Sequence, residues 1–410
     1  MAVQGIESPG FFDAVMNDHS NPIEFPLGAG GPFHRLQRAM RLAADDRPDV
    51  ARRIVVAWAV AWLPLALLWW WQGLSTSGSG PAASVYTHMS TYARFFLTLP
   101  LLIVAENAVR PHLEHAFQHA ITAGVVPASQ YRQFVDLLIR GLEARESRLA
   151  EIVQLLLAFG VSQVAVAWAM AGHHASWIHA GPTLTWAGAW FAYVSLPLLQ
   201  FMIFRWLYRL SIWWRVMRGL SRLDLSIQPG HPDERGGLAF LGDSIQAFAI
   251  LALAFASAAA GSVADFILHE GAPMGELKGF ITGSVACILL LFVTPLLFFF
   301  RPAYRAKDEA LLRYESIAER YWQAFDKKWA GNDAAPRGPH QITETDFSAM
   351  SDLGVLVKTV REMKVLPVTK EGLLPLLIAI VLPFLPVLAA VFPIEDLLSG
   401  IVHVFLGKAE

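Results

Sequence analysis

The sequence predicts an all-α fold, a polytopic transmembrane helix bundle of about seven spans, and three observations carry that prediction. The 410-residue chain is 55% hydrophobic and 16% charged, with a mean hydropathy of +0.43, whereas soluble domains carry about 25% charged residues. Seven apolar runs are long enough to cross ~30 Å of hydrocarbon at ~1.5 Å per helical residue. They cover 54–72, 92–109, 152–171, 186–206, 240–264, 279–300 and 373–392, and Pro383 and Pro386 mark the last as a broken or re-entrant segment.

The third observation is the placement of positive charge, which is retained on the cytoplasmic side of a membrane. Lys and Arg number six in 1–53, five in 110–151, six in 207–239 with the edge residue Arg205, and twelve in 301–372. The alternate segments hold only Lys278 and Lys408, and Arg94 lies inside the second run. The expected topology is therefore a cytoplasmic amino terminus and an outer carboxyl terminus, in a plasma membrane of the bacterial inner-membrane kind. Residues 1–50 lack a basic stretch followed by an apolar core, so insertion is expected to begin at the first span. Trp58, Trp62, Trp69, Trp70, Trp71, Trp186 and Trp190 crowd towards span ends, as interfacial anchors do.

The expected organisation is a cytoplasmic segment 1–53, a six-span region 54–300 with cytoplasmic inserts at 110–151 and 207–239, a helical hairpin 301–372, and a seventh span with a short outer tail, 373–410. Within 304–329, Tyr304, Leu311, Ala318 and Phe325 recur every seven residues, which gives an amphipathic helix. Phe347, Met350, Leu353, Val357, Val360 and Met363 make a second, entered through Thr343 or Thr345 as N-cap. The two are expected to pack on each other or to mediate a homo-oligomer.

A threefold repeat is also suggested. Pro-Leu-Leu recurs at 100–102, 197–199 and 295–297, spaced by 97 and 98 residues, and the first and third runs begin at Ile54 and Ile152. Each unit would be an out-and-back hairpin of about 97 residues. Pro64, Pro100, Pro197, Pro295 and Pro383 each remove a backbone donor inside a run, which a membrane tolerates when neighbours resatisfy the freed carbonyl. The thin stretch 256–262 of Ala, Ser and Gly belongs in the bundle interior, where another helix approaches closely.

Intramembrane charge points to function because burying it costs several kcal/mol unless it is paired or hydrated, on the order of 3 kcal/mol or more at a helix centre. Arg94 and Glu106 are the two such residues. Arg94 is expected to snorkel outward. Glu106 is expected either to pair with Arg110 at i,i+4 or to face an aqueous path as an ion site. Gln163 and Gln200 read as helix-to-helix hydrogen bonds.

Six of thirteen histidines, His88, His173, His174, His179, His269 and His403, fall in the outer segments. His173, His174, His179, Asp265 and His269 are the candidate metal or pH-sensing set, imidazole being the commonest metal ligand and titrating near neutrality. On the cytoplasmic side, His112, His115 and His119 share a helical face, and the loop 231–238 places Asp233 and Arg235 beside Gly236 and Gly237, whose amides precede the fifth run as an anion-binding helix start would.

Several classes are excluded or demoted. The formal charge of -2 gives no basic footprint for nucleic acid. The single Cys287 allows neither an intrachain disulfide nor a cysteine-built zinc site. No histidine lies in a span interior to hold a transmembrane haem, and no nucleophile elbow or His-Glu-x-x-His motif appears. The pattern names no cofactor. The expected function is transport or conduction of a small ion or solute, with Arg94, Glu106, Asp233 and Arg235 as candidate residues; the alternative is a non-transport membrane scaffold or sensor of metal or pH at the outer face.

Overall fold

The computed structural model describes residues 25–28, 30–40, 42, 50–75, 88–171, 177–180, 183–270, 274–329 and 344–389. Seven helices there are long and apolar enough to cross a membrane: span 1 Val50–Gln72, span 2 Met89–Thr122, span 3 Arg148–Ala171, span 4 Trp186–Leu220, span 5 Ala239–Leu268, span 6 Leu277–Leu297 and span 7 Lys370–Ala389. The chain is thus a multi-pass membrane protein. Span 2 runs past the end of its apolar stretch, through Pro111, to Thr122, and span 4 runs on to Leu220. The face bearing His112, His115 and His119 is therefore an extension of span 2 rather than a separate helix. Span 7 tightens into a 3₁₀ turn at Leu382–Phe384, around Pro383, and resumes as helix over Leu385–Ala389.

Among the described residues four α-helices lie outside the spans: α1 Pro32–Ala39, α2 Tyr131–Arg145, α3 Phe300–Trp329 and α4 Glu344–Glu362. α3 and α4 pack antiparallel, with the Phe325 and Phe347 rings 4.9 Å apart edge to face and Arg361 paired to Glu315 at 2.8 Å. Thr345 sits inside α4 rather than at its cap, and Thr343 lies outside the described residues. These helices and the connections rich in Lys and Arg gather at one end of the bundle, the basic end. At the opposite end a short antiparallel pair, β1 His179–Ala180 and β2 Thr183–Leu184, joins spans 3 and 4.

Spans 2, 4 and 5 form the interior. Span 3 turns Leu155, Leu156, Leu157, Val164 and Trp168 outward to the bilayer. The small residues of span 5 face inward as expected: Ala256 and Ala260 are buried, and a Cβ on Gly261 would overlap Ala93 of span 2.

The prolines explain how the spans hold together. Proline lacks the N–H that would bond the carbonyl four residues back in an α-helix, or five back in a π-helical turn. Span 2 is π-helical over Ala93–Thr98 and span 4 over Phe191–Ser195, each just before its proline. Pro100 thus frees the Phe95 carbonyl, which accepts from Trp58 Nε1 of span 1 at 2.7 Å. Pro197 frees the Ala192 carbonyl, which accepts from Gln163 Nε2 of span 3 at 2.8 Å. Pro64 in span 1 frees Val60, capped by Trp190 Nε1 of span 4 at 3.1 Å. Pro295 in span 6 frees Leu291, capped by Trp214 Nε1 of span 4 at 3.0 Å. Trp58 and Trp190, expected as interfacial anchors, instead cap backbone, and Gln163 makes the interhelical bond its position suggested.

Removing one cap strands a carbonyl in a dry interior, and interhelical bonds in membranes are worth about 0.6–2 kcal/mol. Trp58→Phe and Gln163→Leu are expected to lower the unfolding midpoint in detergent by amounts of that order. The control is Trp70→Phe, at a side chain 59% exposed to lipid. Equal midpoints for all three variants would contradict the assignment.

Candidate functional site: the Glu106 node

Glu106 sits on the interior face of span 2, near the basic end, and is 2% exposed. It is not paired with Arg110, which bonds Glu114 at 2.7 Å instead. Three guanidinium groups converge on it. Arg53 of span 1 contacts Oε2, while Arg205 and Arg209, one turn apart on span 4, reach Oε1 at 2.7 and 2.8 Å. All three arginines are buried. The local sequence makes this possible because Arg205 and Arg209, four residues apart, fall on the buried face of span 4 with Trp206, whose ring lies 5.2 Å from the Arg209 guanidinium.

The segment before span 1 closes the node from below. A Cβ on Gly28 would overlap the Glu106 carbonyl oxygen, so only glycine permits this approach. Gly30 and Gly31 adopt positive φ, and the Gly30 carbonyl accepts from Arg205 Nη2 at 3.0 Å. The first turn of α1 is held by carboxylates, as a helix start with unpaired amides requires. Glu146 accepts from Gly31 N at 3.0 Å and Glu151 from Phe33 N at 2.9 Å. Arg145 of α2 bonds the Pro26 carbonyl and pairs with Glu146 at 2.9 Å.

The charges do not balance. Glu151 supplies a second carboxylate 3.9 Å from Arg205, still short of three guanidinium groups. Arg209 Nη2 and Arg53 Nε are buried with no hydrogen-bond partner among the described residues. His34 of α1 faces the same node. Burial, opposed by Glu106 and reinforced by Arg205, Arg53 and Arg209, pushes its imidazole down to about 4, so it is neutral at pH 7.

The other sequence candidates are not gathered here. Arg94 turns inward rather than snorkelling, donating to Ser262 Oγ of span 5 at 3.4 Å. Asp265, one turn further on, accepts from Ser90 Oγ and lies 3.4 Å from His88 Nδ1. These residues make a second polar network between spans 2 and 5 at the opposite end. Between the two networks span 2 buries Phe95, Leu99 and Leu102. Of the metal set, His179 belongs to β1 and His269 to the last turn of the span 5 helix, while His173 and His174 lie outside the described residues. No group of three His, Cys, Asp or Glu side chains among the described residues is placed to hold a metal ion.

Asp233 and Arg235 bind backbone. Asp233 accepts from the amides of Arg235, Gly237 and Ala239 at 2.8–3.1 Å, so the helix-start amides are already occupied. Burial opposes its ionisation, but those amides hold its carboxyl below the usual range. Arg235 donates to the Val368 carbonyl at 2.9 Å, tying the connection before span 5 to the one before span 7. Beside this loop, His112, His115, His119 and His231 line a cleft of about 450 Å³, with the His119 ring 5.0 Å from that of Phe240.

Sequence reasoning found Glu106 and missed its partners. Arg53, Arg205 and Arg209 entered only as topological charges at span edges; the available signal was the i,i+4 spacing of Arg205 and Arg209 at the end of an apolar run. Fold and site together define a polytopic α-helical membrane protein with a charged node inside its bundle. No known protein family, curated protein or solved structure matches the chain.

Glu106→Gln strands three buried cations, and breaking a buried pair costs about 3–5 kcal/mol. The expected result is a large loss of folded protein in detergent, partly restored by adding Arg209→Met. A parental unfolding midpoint in the single variant would contradict the node. His34 gives a second prediction. Its folded value, about 4, lies below the free value of 6.5, so its contribution is complete above about pH 6.5 and is lost as pH falls towards 4. Hydrogen exchange over 25–40 should rise between about pH 7.5 and about pH 5, after correction for intrinsic rates, and His34→Gln should flatten that rise. A pH-independent parent would exclude it.

Proposed function

We propose that this membrane protein is a transporter or channel for a small solute, and that the solute is anionic. The observation that carries the reading is the excess, among the described residues, of buried guanidinium over carboxylate at the node, where Arg209 Nη2 and Arg53 Nε have no acceptor. Uncompensated positive charge at the mouth of a low-dielectric interior attracts anions and repels cations. The node and the Arg94–Asp265 region act as closures at opposite ends of span 2, separated by packed apolar side chains. Opening one end means parting spans 1, 2 and 4 at Glu106. The basic end is cytoplasmic in this reading, as the distribution of Lys and Arg supports. Pro100 and Pro197, each behind a π-helical turn and capped from the preceding span, support repetition of the first two hairpins, whereas Pro295 is capped from span 4; repeated hairpins in transporters set the solute site at their interface.

A second reading, a membrane scaffold or sensor, is favoured by the outward-facing Tyr304, Leu312 and Trp322 of α3 and Val355 of α4. Such a surface suits a homo-oligomer or a protein partner.

Purified protein in liposomes, assayed for uptake of labelled chloride and of inorganic phosphate, separates the two. The expected result is uptake of at least one anion well above protein-free vesicles. Arg209→Gln, which removes the excess charge but leaves Glu106 paired to Arg53 and Arg205, should lower it by at least about tenfold, the equivalent of ~1.4 kcal/mol. No anion uptake by folded parent protein would overturn the proposal and leave the scaffold reading.

A further inference from the structure

Where span 4 and span 6 leave the apolar core, the basic end carries a cleft of about 880 Å³ that the node does not use. Two helices face each other across it. Span 4 contributes Arg218 and, just past its last turn, Arg222; the start of α3 contributes Arg301 and Arg305. Arg301 and Arg305 are spaced i,i+4 on one face of α3, which brings like charges together and is destabilising unless a counter-charge lies nearby, and Arg218 with Arg222 in the turn after span 4 adds two more cations across the cleft. None of the four arginines has a carboxylate within ion-pair distance among the described residues, although Asp224 and Glu309 border the cleft. All four side chains are exposed. The nearest organising contact is the Phe298 ring, 5.9 Å from the Arg218 guanidinium.

The cleft also has an apolar lip. Span 6 ends at Leu297, 45% exposed, and Phe300, 44% exposed, opens α3 immediately before Arg301. Exposed apolar side chains directly adjoin unpaired guanidinium groups at the point where the chain passes out of the hydrocarbon. That juxtaposition matches one molecule, with acyl chains on one side and an anionic phosphate on the other.

We propose that this cleft is a binding site for an anionic phospholipid, the phosphate lying among Arg218, Arg222, Arg301 and Arg305 and the acyl chains against Leu297 and Phe300. Guanidinium forks recognise phosphate oxygens in pairs, and basic pockets between spanning helices at a membrane surface select anionic headgroups. A bound lipid would supply the missing counter-charge and fix the exit angle of α3. The inference is independent of the transported solute.

Native mass spectrometry tests it on the full chain, extracted in mild detergent and exchanged with phosphatidylglycerol, phosphatidylcholine or inorganic phosphate in parallel. The parent should retain phosphatidylglycerol at least tenfold more than phosphatidylcholine, and inorganic phosphate should not displace it. Arg218→Gln/Arg222→Gln and Arg301→Gln/Arg305→Gln, each on surface side chains, should each reduce retention at least fivefold while keeping the parental unfolding midpoint without lipid. Arg301→Lys/Arg305→Lys should fall between, because charge survives without the fork. Equal retention of the two lipids, or equal retention by parent and glutamine variants, would overturn the site. Displacement by inorganic phosphate would overturn the lipid assignment in favour of a soluble anion.

Discussion

A carbonyl freed by proline has no water to turn to inside a bilayer, and the packing of this bundle answers that constraint. Pro64, Pro100, Pro197 and Pro295 each release one carbonyl, and each is met by an indole or amide donor from another span. The donors run from span 1 to span 2, span 3 to span 4, span 4 to span 1 and span 4 to span 6. Apolar helices in lipid have little hydrophobic reason to choose one neighbour over another. Directional bonds to fixed carbonyls therefore set which helices meet and at what register. The kinks and π-helical turns are the local cost of making those acceptors available.

The Glu106 node obeys the same logic with charge in place of a dipole. A lone carboxylate there would be untenable, and so would three guanidinium groups without it. The node brings spans 1, 2 and 4 to one point and recruits the segment before span 1 as a fourth wall. The glycines at 28, 30 and 31 matter because backbone, rather than side chain, makes that wall. Its carbonyls at Gly30 and Pro26 accept from Arg205 and Arg145, which brings polar chain close to buried arginine at little cost in further charge.

Much of this architecture was readable in the sequence, and the reason is physical. Hydrocarbon thickness fixes the length of an apolar run, so seven runs announce seven spanning helices within a few residues. The ends were harder: nothing in hydropathy tells where a helix stops once it reaches water, and spans 2 and 4 continue well beyond their apolar stretches. Proline positions were visible, but their partners were not, because Trp58 and Trp190 near span ends look the same whether they anchor at an interface or cap a neighbour. Glu106 stood out as intramembrane charge. Its arginines did not, because an arginine at the edge of a run reads as topology until the neighbouring span is in place. Arg94 pointed inward for a reason that a single helix cannot show, the presence of Ser262 and Asp265 on span 5.

The order in which the caps appear along the chain has a consequence for synthesis. Trp58 precedes the Phe95 carbonyl and Gln163 precedes Ala192, so those bonds can close as soon as each helical pair has entered the membrane. Trp214 likewise awaits span 6 before Leu291 is freed. The Val60 carbonyl differs, since its donor, Trp190, lies more than a hundred residues downstream. Span 1 must then reside in the membrane with an unmet acceptor until span 4 arrives, and Arg53 waits just as long for Arg205 and Arg209 to join it around Glu106. In an order of insertion that follows the chain, the Val60 carbonyl thus meets its native donor only when span 4 arrives.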